Sequence, residues 1–268
     1  METKKSDEIK DAVRELYAEI ARQQTPSCCA PRSEESSSCC SSCAGEVSRA
    51  QRLYSREELE SIAADIPSLG CGNPIALSEL QAGEVVLDLG SGGGLDCFLA
   101  ARRIGPQGRV IGLDMTPDMI KLARANAEKL SVENAEFRLG EMEHMPIESD
   151  SVDVVISNCV INLSPDKDAV FREVYRVLKP GGRLCVSDIV TRGEMPASVR
   201  GSLEQWAGCV AGALEEGEYL GKIQAAGFVH LEREEAKLDP YKEEAALKVD
   251  APIASISVKA FKPEQTSR

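Results

Sequence analysis

The spacing of apolar residues switches along this chain between a helical and a strand period, and the switches mark its elements. From Ser6 to Arg22, Ile9, Val13, Leu16, Tyr17 and Ile20 recur at helical spacing and predict an amphipathic helix. Thr25 to Gly45 is rich in Ser and Cys with few other apolar residues, so it cannot build a core and is expected to be mobile. Ser55, with Glu58 three residues on, reads as a capping box that opens a short helix ended by Pro67. Leu69 to Pro74 is a turn that carries Cys71 on a glycine-flanked, deformable loop. Val85 to Leu89 reads as a buried strand, Leu95 to Ala101 returns to helical spacing, and Arg109 to Asp114 is a second strand. A helix from Pro117 to Lys129 has proline in its first turn. Glu136 to Leu139 is a third strand. Val152 to Cys159, almost continuously apolar, has the pattern of a central parallel strand. A helix over Val170 to Leu178 stops at Lys179-Pro180-Gly181-Gly182, and Arg183 to Asp188 is strand five. Glu218 to Ala226 reads as a helix closed by Gly227, and Val229 to Glu235 as a strand. Ala254 to Phe261 alternates and closes the sheet.

This order predicts an α/β fold: a seven-stranded, mostly parallel sheet with helices on both faces. The segment from Val190 to Gly217 is inserted as a cap over the carboxyl edge of the strands, where such sheets bind ligands. The 268 residues are ample to bury a core. A net charge of -13 with no run of Lys or Arg argues against nucleic acid and anionic membrane partners. No apolar stretch is long enough to span a bilayer, and the polar N-terminus is not a signal peptide, so a cytoplasmic location is expected. Ten cysteines in that reducing compartment point to metal binding or chemistry rather than to structural disulfides.

The turn after the first strand decides between cofactors. Gly90 and Gly92 fit a dinucleotide fingerprint, but Leu95 stands where its last glycine belongs. The run Asp88-x-Gly90-x-Gly92-x-Gly94 instead resembles the first motif of class I methyltransferases that use S-adenosylmethionine. Leu178 to Leu184 resembles a later motif of the same class. The resemblance implies that Gly90, Ser91, Gly92 and Gly94 pass under the methionine moiety, with Asp88 ahead of them. It implies that Asp114, followed by Met115, holds the ribose. It also implies that the loop Glu141-Met142-Glu143 packs on the adenine, with Glu141 accepting from the exocyclic amine and Glu143 as the alternative. Asn158 joins this set from the carboxyl end of strand four.

The cysteines refine the reading. Cys97 and Cys185, on an apolar helix and in mid-strand, are assigned to core packing. Cys71, Cys159 and Cys209 come from three separate segments, and all fall where the fold places its mouth. His144 and His230 have no ligand spacing, so three thiols without histidine suit a soft centre. Zinc held by three thiolates is negatively charged and costly to bury. Trivalent arsenic with three thiolates is neutral, because each thiol proton leaves with a hydroxide as water. Its lone pair can attack the methyl of a sulfonium.

The runs Leu69–Pro74, Leu87–Gly92, Ile156–Lys167 and Gly208–Leu214 resemble arsenite methyltransferases of the microbial branch. The resemblance implies arsenite held by Cys71, Cys159 and Cys209 and methylated for detoxification, with thiol-dependent reduction completing each cycle. Cys28 or Cys29 stands nearest a fourth cysteine that some members use. Cys40 and Cys43 have the only ordinary C-x-x-C spacing in that segment. One of these N-terminal thiols is expected to pair with Cys71 after each transfer, and thioredoxin or glutathione to reopen the bond. The chain is expected to act as a monomer. Methylation of a small organic molecule, such as a quinol, would leave the three thiols idle. A non-catalytic metalloid-binding protein would have no use for the intact Asp88, Gly90, Gly92 and Asp114. The domain division is then 1–48, an N-terminal helix and Cys/Ser-rich segment; 49–190, the S-adenosylmethionine-binding domain; and 191–268, an arsenic-binding cap with strands completing the sheet.

Overall fold

The computed structural model describes residues 2–24, 52–62, 66, 70–235 and 253–264. Seven strands form one sheet: β1 (Val85–Leu89), β2 (Arg109–Asp114), β3 (Ala135–Leu139), β4 (Val152–Asn158), β5 (Leu178–Thr191), β6 (Val229–Glu235) and β7 (Ile253–Phe261). Their spatial order is β3-β2-β1-β4-β5-β7-β6. β1 pairs in parallel with β2 on one side and β4 on the other. Only β7 runs antiparallel to its neighbours, β5 and β6. The order reverses between β1 and β4, so their carboxyl ends open a crevice at a topological switch point.

Both faces of the sheet are covered, which is why its central strands are apolar throughout. Val86 of β1 packs with Ile62 of α2 (Arg56–Ile62), Ile75 of α3 (Pro74–Ser78), Phe98 of α4 (Leu95–Ile104) and Ile120 of α5 (Pro117–Leu130). Leu87 and Leu89 belong to the opposite core, with Phe171 and Val174 of α6 (Lys167–Val177). The expected capping box at α2 is present. Ser55 N donates to Glu58 Oε2 at 2.8 Å, and Glu58 N donates to Ser55 Oγ at 3.2 Å. The cap contains α7 (Ala197–Arg200) and α8 (Leu203–Ala207), and α9 (Glu216–Ala225) follows it. Among the described residues, no helix is long and apolar enough to cross a membrane.

Two elements have surroundings that their own spacing does not show. The first helix, α1, runs from Glu2 to Gln24 and buries Ile9, Val13, Ala18 and Ala21, while Leu16 is exposed. It packs on α5 and α8, so it roofs the carboxyl edge of the sheet. β7 is paired on both edges. It lies between two strands and is buried on both sides, its alternating serines included: Ser255 is buried, and Ser257 meets Ser187 Oγ to Oγ at 2.9 Å.

Candidate active site

The turn after β1 is held open by three glycines with positive φ: Gly90 (+64°), Gly92 (+51°) and Gly94 (+94°). A Cβ on Gly90 would also lie 2.3 Å from Val160, so the backbone approaches its neighbour as only glycine can. Asp114 braces the turn from the end of β2. It accepts from Gly92 N at 3.0 Å and from Thr116 N at 2.8 Å. Burial pushes its carboxyl up, and the two backbone bonds act against that. Asp88, Gly90, Ser91, Gly92, Asp114, Met115, Met142, Glu143, Asn158 and Cys159 all line one cavity at the switch point. Ser91 Oγ is buried in its wall with no partner among the described residues.

Asp96, unremarked in the sequence, stands beside Asp88 in this wall. Both are buried. Burial, then the charge of Asp96, holds Asp88 well above the usual carboxylate range; burial raises Asp96 to about 6. Cys97 Sγ donates to Asp88 Oδ2 at 3.2 Å, and Tyr54 Oη donates to Asp96 Oδ1 at 2.7 Å. Cys97 is thus more than core packing. Two buried acids with no cation paired to them among the described residues suit a ligand's ammonium group.

The two acids expected near the adenine, Glu141 and Glu143, stand in different surroundings. Glu141 forms an isolated bridge with His144 across a tight turn and is not among the residues that line the cavity. Its carboxylate is taken by Lys10 Nζ at 2.6 Å and by Arg14, both from α1, and the Lys10 bond holds its pKa down. Glu143 is the acid in the cavity wall. It is 6 % exposed and accepts from Ser164 Oγ at 2.6 Å.

The three thiols meet beside this cavity, in an apolar cluster with Ile9, Val13, Leu163, Ile189 and Val210. Cys71 is fully buried, and Cys159 and Cys209 nearly so. Cys159 follows β4 at φ +62°, and Cys209 follows α8 at φ +67°. Non-glycine residues adopt this conformation only when the surroundings impose it. Here Cys159 N donates to Ser187 O at 2.7 Å, and Cys209 N to Trp206 O at 2.9 Å. Trp206 is in turn tied to Leu163 O through Nε1 at 3.0 Å. The Cys159 thiol shares hydrogen bonds with both Cys71 and Cys209. Cys209 Sγ also donates to Cys159 O at 2.9 Å.

Burial pushes the Cys71 and Cys159 thiols up, and Cys209 is raised by its bond with Cys159 and then by burial. All three are therefore neutral thiols at physiological pH. That suits an incoming hydroxide of a trivalent centre, which consumes each thiol proton as water.

Two further groups border the thiols that sequence reasoning did not single out. Asp188, at 0 % exposure, has a carboxylate oxygen that, with Cys71 Sγ and Cys159 Sγ, forms a group of atoms all within 4.8 Å of one another. It accepts from Asn162 Nδ2 at 2.7 Å, Ile189 N at 2.9 Å and Tyr219 Oη at 3.2 Å, and burial raises it to about 7. Tyr17 of α1 hydrogen-bonds to Cys209 and lines the cavity. The strand-five acid had a signal in its position at a strand end, whereas Tyr17 had none. Cys185 is a core residue, its thiol pushed by burial to about 12. Cys28, Cys29, Cys40 and Cys43 lie outside the described residues.

Residues 80–227 match the family model described as a methyltransferase domain. The chain is 47 % identical over 232 residues to an arsenite methyltransferase of Halobacterium salinarum, a match covering 84 % of this chain and 59 % of that protein. It is 38 % identical over 195 residues to the mouse arsenite methyltransferase, covering 68 % of this chain and 51 % of the mouse protein. The chain thus spans a little over half the length of these two relatives. The crystal structure of an arsenic(III) S-adenosylmethionine methyltransferase from Chlamydomonas reinhardtii superposes with a TM-score of 0.63 at 36 % identity, covering 79 % of this chain and 75 % of that one. By fold, by motif and by this kinship, the chain belongs to the arsenite methyltransferase family.

Proposed function

We propose that this chain methylates arsenite, with S-adenosylmethionine as the methyl donor. The observation that carries the reading is three buried, neutral thiols gathered in an apolar cluster against the wall of the glycine-loop cavity. Arsenite exchanges three hydroxides for Cys71, Cys159 and Cys209 sulfurs, and three waters leave. The product is uncharged, so it sits in the apolar cluster without a desolvation penalty. The cofactor supplies an electrophilic methyl group on a sulfonium. The chain's own residues hold the reactants: Asp114 takes the ribose hydroxyls, Glu143 the adenine amine, and Asp88 with Asp96 the ammonium of the methionine moiety. Fixing arsenic and methyl donor in adjoining sites is worth most of the rate, as in other reactions governed by proximity, and the roof formed by α1 excludes water.

Methyl transfer consumes the arsenic lone pair and leaves arsenic formally pentavalent. Two electrons from a pair of thiols restore the trivalent state and leave a disulfide. Thioredoxin or glutathione reduces that disulfide, in keeping with a reducing, cytoplasmic setting in which the described cysteines are all free thiols. The test is to incubate the protein with arsenite, methyl donor and thiol reductant and to separate the arsenic species over time. Methylated arsenic should accumulate, and withholding the reductant should confine the reaction to its first transfer. Binding of both ligands without any methylated product would refute the proposal.

A further inference from the structure

Asn158 was expected to contact the cofactor. Its side chain borders the cavity and is held there by the protein's own groups. Oδ1 accepts from Cys71 N at 3.0 Å and from Gly72 N at 3.2 Å. Nδ2 donates to Gly72 O at 2.8 Å, to Tyr54 Oη at 3.0 Å and to Asp96 Oδ2 at 3.3 Å. The loop lies directly on this amide: a Cβ added to Gly70 would come within 2.3 Å of Asn158 Nδ2. The amide therefore cannot turn over without breaking every one of these bonds.

Asn158 also immediately precedes Cys159. One residue thus ties the backbone of the first thiol to the backbone of the second. Cys209 has separate anchors, in α8 and Trp206. Cys71 has two other ties: Ser255 Oγ donates to its carbonyl at 3.0 Å, and its thiol donates at 3.6 Å to Ser187 O, which also takes Cys159 N. The loop expected to be deformable is braced.

We propose that Asn158 is a positioning residue that sets the separation of Cys71 from Cys159, and with it the capacity of the site to hold arsenic by three sulfurs. This rests on the arsenite reading above. A centre held by three linked thiols gains its affinity from the third sulfur being in place before it binds. Loosening Cys71 removes that advantage for arsenite, which has three replaceable oxygens. It spares a monosubstituted trivalent arsenical, which has two and is held by Cys159 and Cys209.

The experiment compares the full chain with Asn158→Ala and Asn158→Asp. The single tryptophan of the chain, Trp206, lies three residues from Cys209, and its fluorescence is the readout for titration with arsenite and with phenylarsine oxide. Asn158→Ala should weaken arsenite binding by roughly tenfold or more. Phenylarsine oxide affinity should stay within about twofold of the parent, since its two sulfurs keep their own anchors. Asn158→Asp retains the acceptors but loses the Nδ2 donor, and should give the same split in smaller measure; it carries the test if the alanine variant does not fold. Equal loss of both ligands, or loss of neither, in a variant that keeps its melting temperature would overturn the proposal. Failure of the parent protein to bind arsenite at all would instead overturn the functional reading on which it rests.

Discussion

Replacing Asp188 with Asn should flatten the pH dependence of stability. Asp188 is fully buried, and its carboxyl is raised from 3.8 to about 7. In the unfolded chain it ionises near its ordinary value, so between those two limits the folded state binds the extra proton. Its favourable contribution is fully present below pH 3.8 and is lost as pH rises through about 7. At about 1.4 kcal/mol per unit, the shift amounts to a ceiling of about 4 kcal/mol. Roughly 2–3 kcal/mol of it falls between about pH 5 and 8. Asn keeps the acceptor for Asn162 and Ile189 and can donate to Tyr219, so the site survives the change. Urea unfolding of both proteins across that range measures the difference. The parent should lose stability relative to the variant as pH rises, while Asp88 and Asp96 act alike in both and cancel. Parallel curves would show that Asp188 is ionised in the folded protein at neutral pH and would refute the argument.

Asp114→Ala should weaken S-adenosylmethionine binding by about 1–3 kcal/mol while arsenite binding persists, both read by calorimetry. Glu143→Gln should lower cofactor affinity several-fold, and Glu141→Gln should leave it nearly unchanged; the reverse order would restore the first assignment. Cys159→Ser and Cys209→Ser should each abolish arsenite methylation, because a hydroxyl is a poor ligand for a soft centre, while Cys185→Ser should alter stability alone. Cys71→Ser should lose methylation of arsenite but keep that of a monomethylated trivalent arsenical, which is checked by supplying each substrate separately.

The central strands were legible because their signal is local. Val85 to Leu89 and Val152 to Asn158 are apolar runs flanked by turn residues, and burial on both faces leaves them no other pattern. The glycine turn, the acid after β2 and the three cysteines were legible for the same reason: each is a residue type with few other uses. What stayed hidden depended on partners far along the chain. The alternation in β7 is real in the sequence, but Ser257 faces Ser187 and Lys259 reaches Glu79, so its polar positions are satisfied inside the fold. Glu141 and Glu143 differ only in which side of a tight turn they occupy. α1 was recognised as a helix, yet nothing in its spacing shows that Lys10, Val13 and Tyr17 wall the cavity. Removing residues 1–48 to test the N-terminal cysteines would therefore also unroof the site.

The left-handed backbone at Cys159 and Cys209 carries a consequence for how this protein could drift. Each position holds a side chain in a conformation that costs about 1 kcal/mol or more for any residue but glycine. Glycine would relieve that strain at both places and needs no thiol partner. It would also empty two buried positions in the apolar cluster that holds Cys71, so the packing lost offsets the strain relieved. The two thiols thus hold their own strained backbone in place, and a lineage with no arsenic to handle would gain no stability by shedding them.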